Sequence, residues 1–355
     1  MPKRLLPSLT AVAFAATLLA AHADTPNPLS VAGHFDVDAM ANLAGGTGAH
    51  SESSALLQWG GSYDTGAANW WNGGLFEFSL EGVRSGGSGD AGSGAVQIPS
   101  NEWAPDFLRV YQATYRHDFG GADLRAGIMD VNQYFESSDQ ASLLHNSSFG
   151  MLPNVMANTD GPSFPNPGLG AMGEARLGSA WQARAGLWQG DPPALGGAFA
   201  HGGFGIAELE RDWSAGDALA SDVKLGLWHD TNPFLGALAS GGYLIGETRW
   251  KQGGQSWGAF VLAGTSPEQA NLVHGFAAAG LLLGAPFAAR AQDQASVGIS
   301  RVTLATGAPE TVAEAVYSWQ LTPVVALQPD VQRFWNPGGS GAAAWIAGAR
   351  LHVGF

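Results

Sequence analysis

The sequence predicts an all-β protein, a transmembrane antiparallel β-barrel of about sixteen strands. Three observations predict it. Apolar and polar residues alternate with period two in segment after segment, from His34 to the last residue, Phe355. The segments recur about every 21 residues, which suits a strand of about 9–11 residues crossing a bilayer at a tilt plus one connection. The amino terminus reads as an export leader.

Lys3 and Arg4 precede an apolar stretch from Leu9 to Ala21, and Ala21-His22-Ala23 has the small-x-small pattern read by signal peptidase. Residues 1–23 are therefore expected to be a Sec signal peptide, and residues 24–355 a single barrel domain. The apolar stretch is too short for a membrane helix, which needs about 20 residues. Further on, the longest uncharged apolar stretch, Gly275 to Ala289, is broken by Gly280, Gly284 and Pro286, so no membrane helix follows there either. The absence of Cys excludes a disulfide framework and a zinc-thiolate site. A formal charge of -14, with Lys only at positions 3, 224 and 251, leaves no basic surface for nucleic acid.

From His34 to Leu43, Phe35, Val37, Ala39, Ala41 and Leu43 fall on one face, while His34, Asp36, Asp38 and Asn42 fall on the other. At Leu75 to Val83, Phe76, Phe78 and Leu80 oppose Glu77, Ser79 and Glu81. At Asp123 to Met129, Leu124, Ala126 and Ile128 oppose Asp123 and Arg125. Later, Val325, Leu327 and Val331 oppose Gln328, Asp330 and Gln332, and the final segment sets Trp345, Leu351, Val353 and Phe355 against Arg350 and His352. The sixteen segments fall near residues 34–43, 55–64, 74–83, 107–117, 121–130, 171–178, 180–189, 202–212, 219–229, 240–250, 255–264, 273–283, 293–303, 310–321, 323–334 and 343–355.

Alternation alone does not say which face meets water, because a soluble barrel and a membrane barrel show the same period with opposite sense. Three features favour the membrane. Trp70, Trp71, Trp103, Trp250, Trp257 and Trp335 stand near strand ends, where interfacial girdles place aromatics. Phe355 ends the last strand in register with its apolar face, as an outer-membrane assembly signal does. The leader delivers the chain beyond the inner membrane, with no lipidation cysteine.

Asp118-Phe119-Gly120-Gly121, Gln252-Gly253-Gly254 and Leu321-Thr322-Pro323 read as short links between antiparallel neighbours. Two connections are long. Ser85 to Ala95 is a flexible loop by its Gly/Ser composition. Residues 131–170 exceed what a compact domain leaves without structure, and they either fold inward to narrow the barrel or form an external flap.

Motifs of chemistry are mostly rejected. Gly168-Leu169-Gly170-Ala171-Met172-Gly173 fits G-x-G-x-x-G but opens a predicted strand, whereas dinucleotide binding needs a strand, a turn and a helix. The nine histidines show no metal-ligand spacing, and no cofactor, metal or catalytic residue is expected. What remains is a polar set on the wet face: Glu77, Glu81, Gln112, Arg116, Arg125, Arg184, Glu208, Gln328, Asp330, Gln332 and Arg350. Facing arginines and carboxylates supply both donors and acceptors, as a polyhydroxylated solute losing its hydration shell requires. Trp188, on the face of Arg184, offers an apolar ring to a sugar's C–H face.

The local wording of the chain resembles the carbohydrate-selective porins of Gram-negative outer membranes, the OprB family. The matching stretches are Ala122 to Met129 running into Asp130 to Ser138, then Asn146 to Gly150, Phe164-Pro165, Gly168 to Gly170 and Ala185 to Pro192. Near the end stand Glu314 to Tyr317, Leu327 to Gln332 (LQPDVQ) and Asn336 to Gly339 (NPGG), the last two being the most specific. The resemblance implies a sixteen-stranded barrel for passive, sugar-preferring diffusion. It adds Asp130 to Arg125, Gln328, Asp330 and Gln332 as candidates inside matching words. Leu281 to Asp293 departs from the family's pattern, retaining Arg290 and Asp293.

The expected protein is thus an outer-membrane channel for small sugars and other hydrophilic solutes. Outer-membrane lipids, the assembly machinery through Phe355, and further copies of the chain are its expected partners. Two rivals stand beside it: an outer-membrane barrel enzyme acting on lipids, and a secreted soluble β protein that binds sugar.

Overall fold

The computed structural model describes residues 27–192, 199–214, 219–232, 239–266 and 271–355. The expected signal peptide lies outside the described residues. Sixteen strands, one for each alternating segment, close into one antiparallel barrel. They are β1 (Leu29–Ala44), β2 (Ser51–Asp64), β3 (Gly74–Gly86), β4 (Phe107–Asp118), β5 (Ala122–Met129), β6 (Gly168–Arg176), β7 (Trp181–Gln189) and β8 (Gly203–Ser214). The circuit continues with β9 (Leu219–Asp230), β10 (Ala239–Gln252), β11 (Gln255–Thr265), β12 (Val273–Gly284), β13 (Gln294–Leu304), β14 (Pro309–Thr322), β15 (Val325–Trp335) and β16 (Ala344–Gly354). β1 and β2 begin ahead of the expected 34 and 55, because their ladder runs from Leu29 paired with Tyr63 to Ala41 paired with Ser51, through small residues whose alternation is weak.

Closure leaves no open edge, so each strand's backbone N–H and C=O groups meet a neighbour rather than hydrocarbon. At the seam β1 pairs with β16, and Gly33 and Phe355 exchange two backbone hydrogen bonds of 2.9 Å. Glycine suits position 33: a Cβ there would come within 2.6 Å of the Phe355 ring. One two-residue link is Gly253-Gly254 between the paired Gln252 and Gln255; both glycines have positive φ, 62° and 84°, the twist that such a hairpin demands.

The apolar stripe faces outward. Leu124 is 60% exposed and Phe355 55%, whereas Arg125 and Asp330 are only 8% and 5% exposed. A soluble barrel would show the opposite, so the secreted soluble reading fails on orientation. Aromatics form bands at both rims. Trp250 and Trp257 stack with centroids 6.1 Å apart beside the Gly-Gly turn, and Trp70 and Trp71 cluster with Tyr63, Phe76 and Tyr115 at the β2–β3 link. At the other end Arg333 lies over both Trp335 and Trp345. Trp103 corrects the expectation: it stands over Gly89 inside a connection and belongs to neither band.

The two long connections fill much of the barrel. Residues 87–106 pack Ala91 and Ala95 against Met40, Val312, Phe334 and Ile346, all on the inner wall. The segment that composition marked as flexible is therefore docked. Residues 130–167 also fold inward, through a 3-10 turn (Val131–Gln133) and two short helices, α1 (Ser147–Gly150) and α2 (Pro153–Met156). Their apolar side chains, among them Phe135, Leu144, Phe149 and Val155, pack on inward Trp188, Phe204, Ile245, Phe260 and Val302. Wall glycines make room: a Cβ at Gly298 would lie 2.6 Å from Leu144, and one at Gly264 2.0 Å from Asn154. The inner face is thus not uniformly wet: where the loop rests, large apolar side chains stand among the polar ones.

Asp130 starts this inward loop. Its Oδ1 accepts from the Asn132 N–H at 2.7 Å and its Oδ2 from the Tyr111 hydroxyl. Burial pushes its carboxyl up to about 6, against the lowering effect of the Tyr111 and Asn132 bonds.

Two outcomes follow. Ile299, exposed near the middle of β13, is replaced by Arg at a cost of about 2–4 kcal/mol if it faces the bilayer midplane; urea titration in lipid vesicles reads it, and an unchanged midpoint would place this face in water. A carboxyl raised on folding adds stability that is full below its unfolded value near 4 and is lost as pH rises through about 6. Asp130→Asn removes that dependence, so the variant gains on wild type between pH 4.5 and 7 in the same assay; equal gaps at both pH values would contradict the assignment.

Candidate functional site

Folding irregular chain into a membrane barrel leaves backbone N–H groups without strand partners, and each must find an acceptor. Inward glutamates of the wall supply them. Glu310 on β14 accepts from the N–H groups of Val96 and Gln97 at 2.9 and 2.8 Å, and from that of Gly338 at 2.6 Å. Glu52 on β2 accepts from Gly89 and Ala91, both at 3.0 Å. Glu314 accepts from His145 and Asn146 at 2.5 and 3.0 Å. On the far wall, Glu247 on β10 takes the Gln140 N–H at 2.7 Å and the Ser138 hydroxyl at 2.5 Å, and Lys224 on β9 donates to the Ser137 carbonyl at 2.8 Å.

The inward loop presents Tyr134 to the lumen, half-buried, between two arginines. The Arg125 guanidinium on β5 lies 4.7 Å from the Tyr134 ring centroid. Arg184 on β7 donates to the Tyr134 carbonyl at 2.9 Å, and the Tyr134 hydroxyl accepts from Gln112 Nε2 at 2.8 Å. Carboxylates match both cations. Arg125 pairs with Glu77 and donates to Thr114 Oγ1 at 3.3 Å. Arg184 meets Glu208 at 3.0 Å, Glu210 at 2.5 Å and Glu174 at 3.5 Å. Glu77 and Glu174 are the most open acids here, with side-chain exposures of 24% and 28%. The site therefore offers an aromatic ring, guanidinium donors and carboxylate acceptors within one patch, with both cations paired and the acids in excess.

The residues singled out from sequence do not form one site. Glu77, Gln112, Arg125 and Arg184 come together around Tyr134. Gln328, Asp330 and Gln332 on β15 meet the loop instead: Gln328 Oε1 lies 3.0 Å from His145 Nε2, Gln332 Oε1 accepts from Asn146 at 3.1 Å, and Gln332 Nε2 donates to Asp330 Oδ1 at 3.0 Å. Arg350 forms a separate knot, donating to Asp38 at 2.7 and 2.8 Å, to Asn101 at 2.9 Å and to Glu102 at 2.8 Å. Glu81 is buried and accepts from Gln58 at 3.0 Å. Trp188 is fully buried with its ring edge-to-face on Phe135, so it turns no face to the lumen.

Sequence reasoning missed Tyr134, Glu310, Glu314, Glu247, Asp38 and Glu102. Their partners lie on distant segments, and the one available signal is a carboxylate at an inward position of a strand whose neighbouring inward residues are apolar, as Glu314 stands between Val312 and Val316.

The sequence profile described as "Carbohydrate-selective porin, OprB family" matches residues 52–355. No curated protein sequence matches. Among solved structures, the barrel is similar to the high-pH structure of Pseudomonas putida OprB, with TM-score 0.82 and 15% identity over 93% of this chain and 94% of that one. The low-pH structure of the same protein gives TM-score 0.63 and 14% identity, covering 93% of each chain. An anion-selective porin from Comamonas acidovorans gives TM-score 0.58 and 13% identity over 92% of this chain and 99% of that one. These neighbours are channels. An outward apolar stripe, an inward loop and a profile match over most of the chain have one conclusion: this protein belongs to the OprB family of carbohydrate-selective porins and is a passive diffusion channel of the outer membrane.

Proposed function

We propose that small sugars cross this channel past Tyr134, Arg125 and Arg184, and that these residues with Glu77 and Glu174 give the preference for polyhydroxylated solutes. The observation that carries this reading is the position of Tyr134, held between two arginines that are each paired with carboxylates, Arg125 with Glu77 and Arg184 with Glu174, Glu208 and Glu210. A sugar hydroxyl both donates and accepts, so it is served by guanidinium N–H groups beside carboxylate oxygens. The ring adds contact with the apolar C–H face. Both cations are already paired, so the guanidinium groups hold no free charge to capture an anion. The patch's hydrogen bonds replace water around a neutral solute without binding it too tightly to leave.

The remaining polar residues shape the passage rather than touch the solute. Gln328, Asp330 and Gln332 fix the inward loop, and Arg350 fixes the other connection through Asn101 and Glu102. Phe355, closing the seam against Gly33, is the proposed recognition element for barrel assembly. Residues 1–23 are the proposed export signal, removed before assembly. The polar lining acts by hydrogen bonding alone, and the lipid-enzyme rival has no observation in its favour.

In planar bilayers, glucose is expected to reduce the ion current through the open channel. Arg125→Ala removes a charged hydrogen-bond donor and weakens that block about tenfold. Trp188→Phe, under the loop, leaves it unchanged. An undiminished block in Arg125→Ala, or loss of block in Trp188→Phe, would overturn this assignment.

A further inference from the structure

Where the inward loop meets β14 and β15, three side chains from three segments converge. His145 of the loop, Glu314 of β14 and Asp330 of β15 are all buried, and each brings a ligand-type atom to within 4.8 Å of the other two. The strand register causes the convergence: Glu314 pairs with Gln332, which places Glu314 and Asp330 diagonally on the same inner face. The Glu314 anchor on the His145 backbone N–H then brings the imidazole over them.

The hydrogen bonding of the cluster is incomplete. Glu314 uses its oxygens on two loop N–H groups, and Asp330 Oδ1 on Gln332, but Asp330 Oδ2 and His145 Nδ1 have no partner although both are buried. Two carboxylates this close repel in a weakly screened interior unless a proton or a cation lies between them. The guanidinium across the ladder does not supply the cation. Arg350 pairs in register with Gln328, and its donors go to Asp38, Asn101 and Glu102.

We propose that His145 Nδ1, Glu314 and Asp330 form a binding site for a divalent metal ion, zinc by its nitrogen and oxygen donors, which clamps the inward loop to the barrel wall. Gln328 completes the logic. It donates through Nε2 to Ser318 Oγ at 3.4 Å, which turns Oε1 toward His145 Nε2 at 3.0 Å. The imidazole proton then sits on Nε2, and the buried Nδ1 is left with a free lone pair, as in a histidine ligand whose other ring nitrogen is held by a neighbouring hydrogen bond. Tetrahedral zinc takes imidazole and carboxylate donors at about 2.0–2.2 Å. Drawing the three donors in from their present spacing needs only side-chain adjustment, on the order of 1 Å. A dication also cancels the two carboxylate charges. The sequence shows no such motif because its three members are a loop residue and one residue from each of two strands.

The full chain is refolded in detergent, loaded with one equivalent of zinc chloride, desalted and assayed for zinc by mass spectrometry, with heat-modifiable gel mobility reporting the folded barrel. About one zinc per folded chain is expected. Asp330→Asn, which keeps the side-chain shape, and His145→Gln, which keeps the backbone anchor to Glu314, are expected to lose it. Gln328→Ala is expected to lower affinity about 10–100-fold. Cobalt(II) gives an independent reading: wild type shows the visible absorption of a tetrahedral site, and the two ligand variants do not. Folded wild type without zinc, or equal zinc in wild type and in whichever ligand variant folds, would overturn the proposal and leave a shared proton between Glu314 and Asp330.

Discussion

Buried glutamates that accept loop N–H groups are the constraint from which the rest of this structure follows. Irregular backbone survives at membrane depth only where something other than lipid satisfies it. Here Glu52, Glu310 and Glu314 each take at least two backbone amides, and Glu247 takes an amide and a hydroxyl. Hydrogen bonds to a charged acceptor contribute about 1.5–3 kcal/mol each, against the larger cost of leaving a buried amide unmet. The wall is thus a template for the loops. Its carboxylates fix where residues 87–106 and 130–167 lie, and its glycines let Leu144 and Asn154 come close.

This docking divides the lumen. Along much of β6 to β14, inward positions carry Phe204, Trp228, Ile245, Phe260 and Val302, which the inward loop covers. Around β3 to β5 and the first half of β7, inward positions remain polar, with Glu77, Gln112, Arg125 and Arg184 grouped around Tyr134. Part of the inner wall holds the loop, and the rest keeps its polar side chains grouped around Tyr134. The two regions are linked, since Arg184 also pairs with Glu208, which accepts the Glu136 N–H at 3.2 Å and so belongs to the anchoring set.

Much of the barrel was legible in the sequence. Period-two alternation located every strand, because a wall with lipid on one side and polar or loop contacts on the other imposes alternation whatever the residues touch. The family resemblance named the porin class that the profile match bears out. Loop contacts were not legible, for a physical reason: partners such as Gln97 and Glu310 are more than two hundred positions apart, and nothing local marks the pairing. Composition misled at Ser85 to Ala95, where glycines serve tight docking under Glu52 and Asp90 rather than freedom. Alternation put Trp188 correctly on the inner face but could not tell that Phe135 covers it. Tyr134 and Glu314 stood within the recognised wording, yet only the fold shows what they meet.

Amide hydrogen exchange on the folded barrel tests the anchoring most directly. The N–H groups of Gln97, Gln140, His145 and Asn146, all outside strands, are predicted to exchange as slowly as those of β14, and Glu314→Ala is predicted to speed His145 and Asn146 selectively. Exchange of these amides in wild type at the rate of the exposed Gly253-Gly254 turn would contradict the account, because the loops would then rest in the lumen without being held.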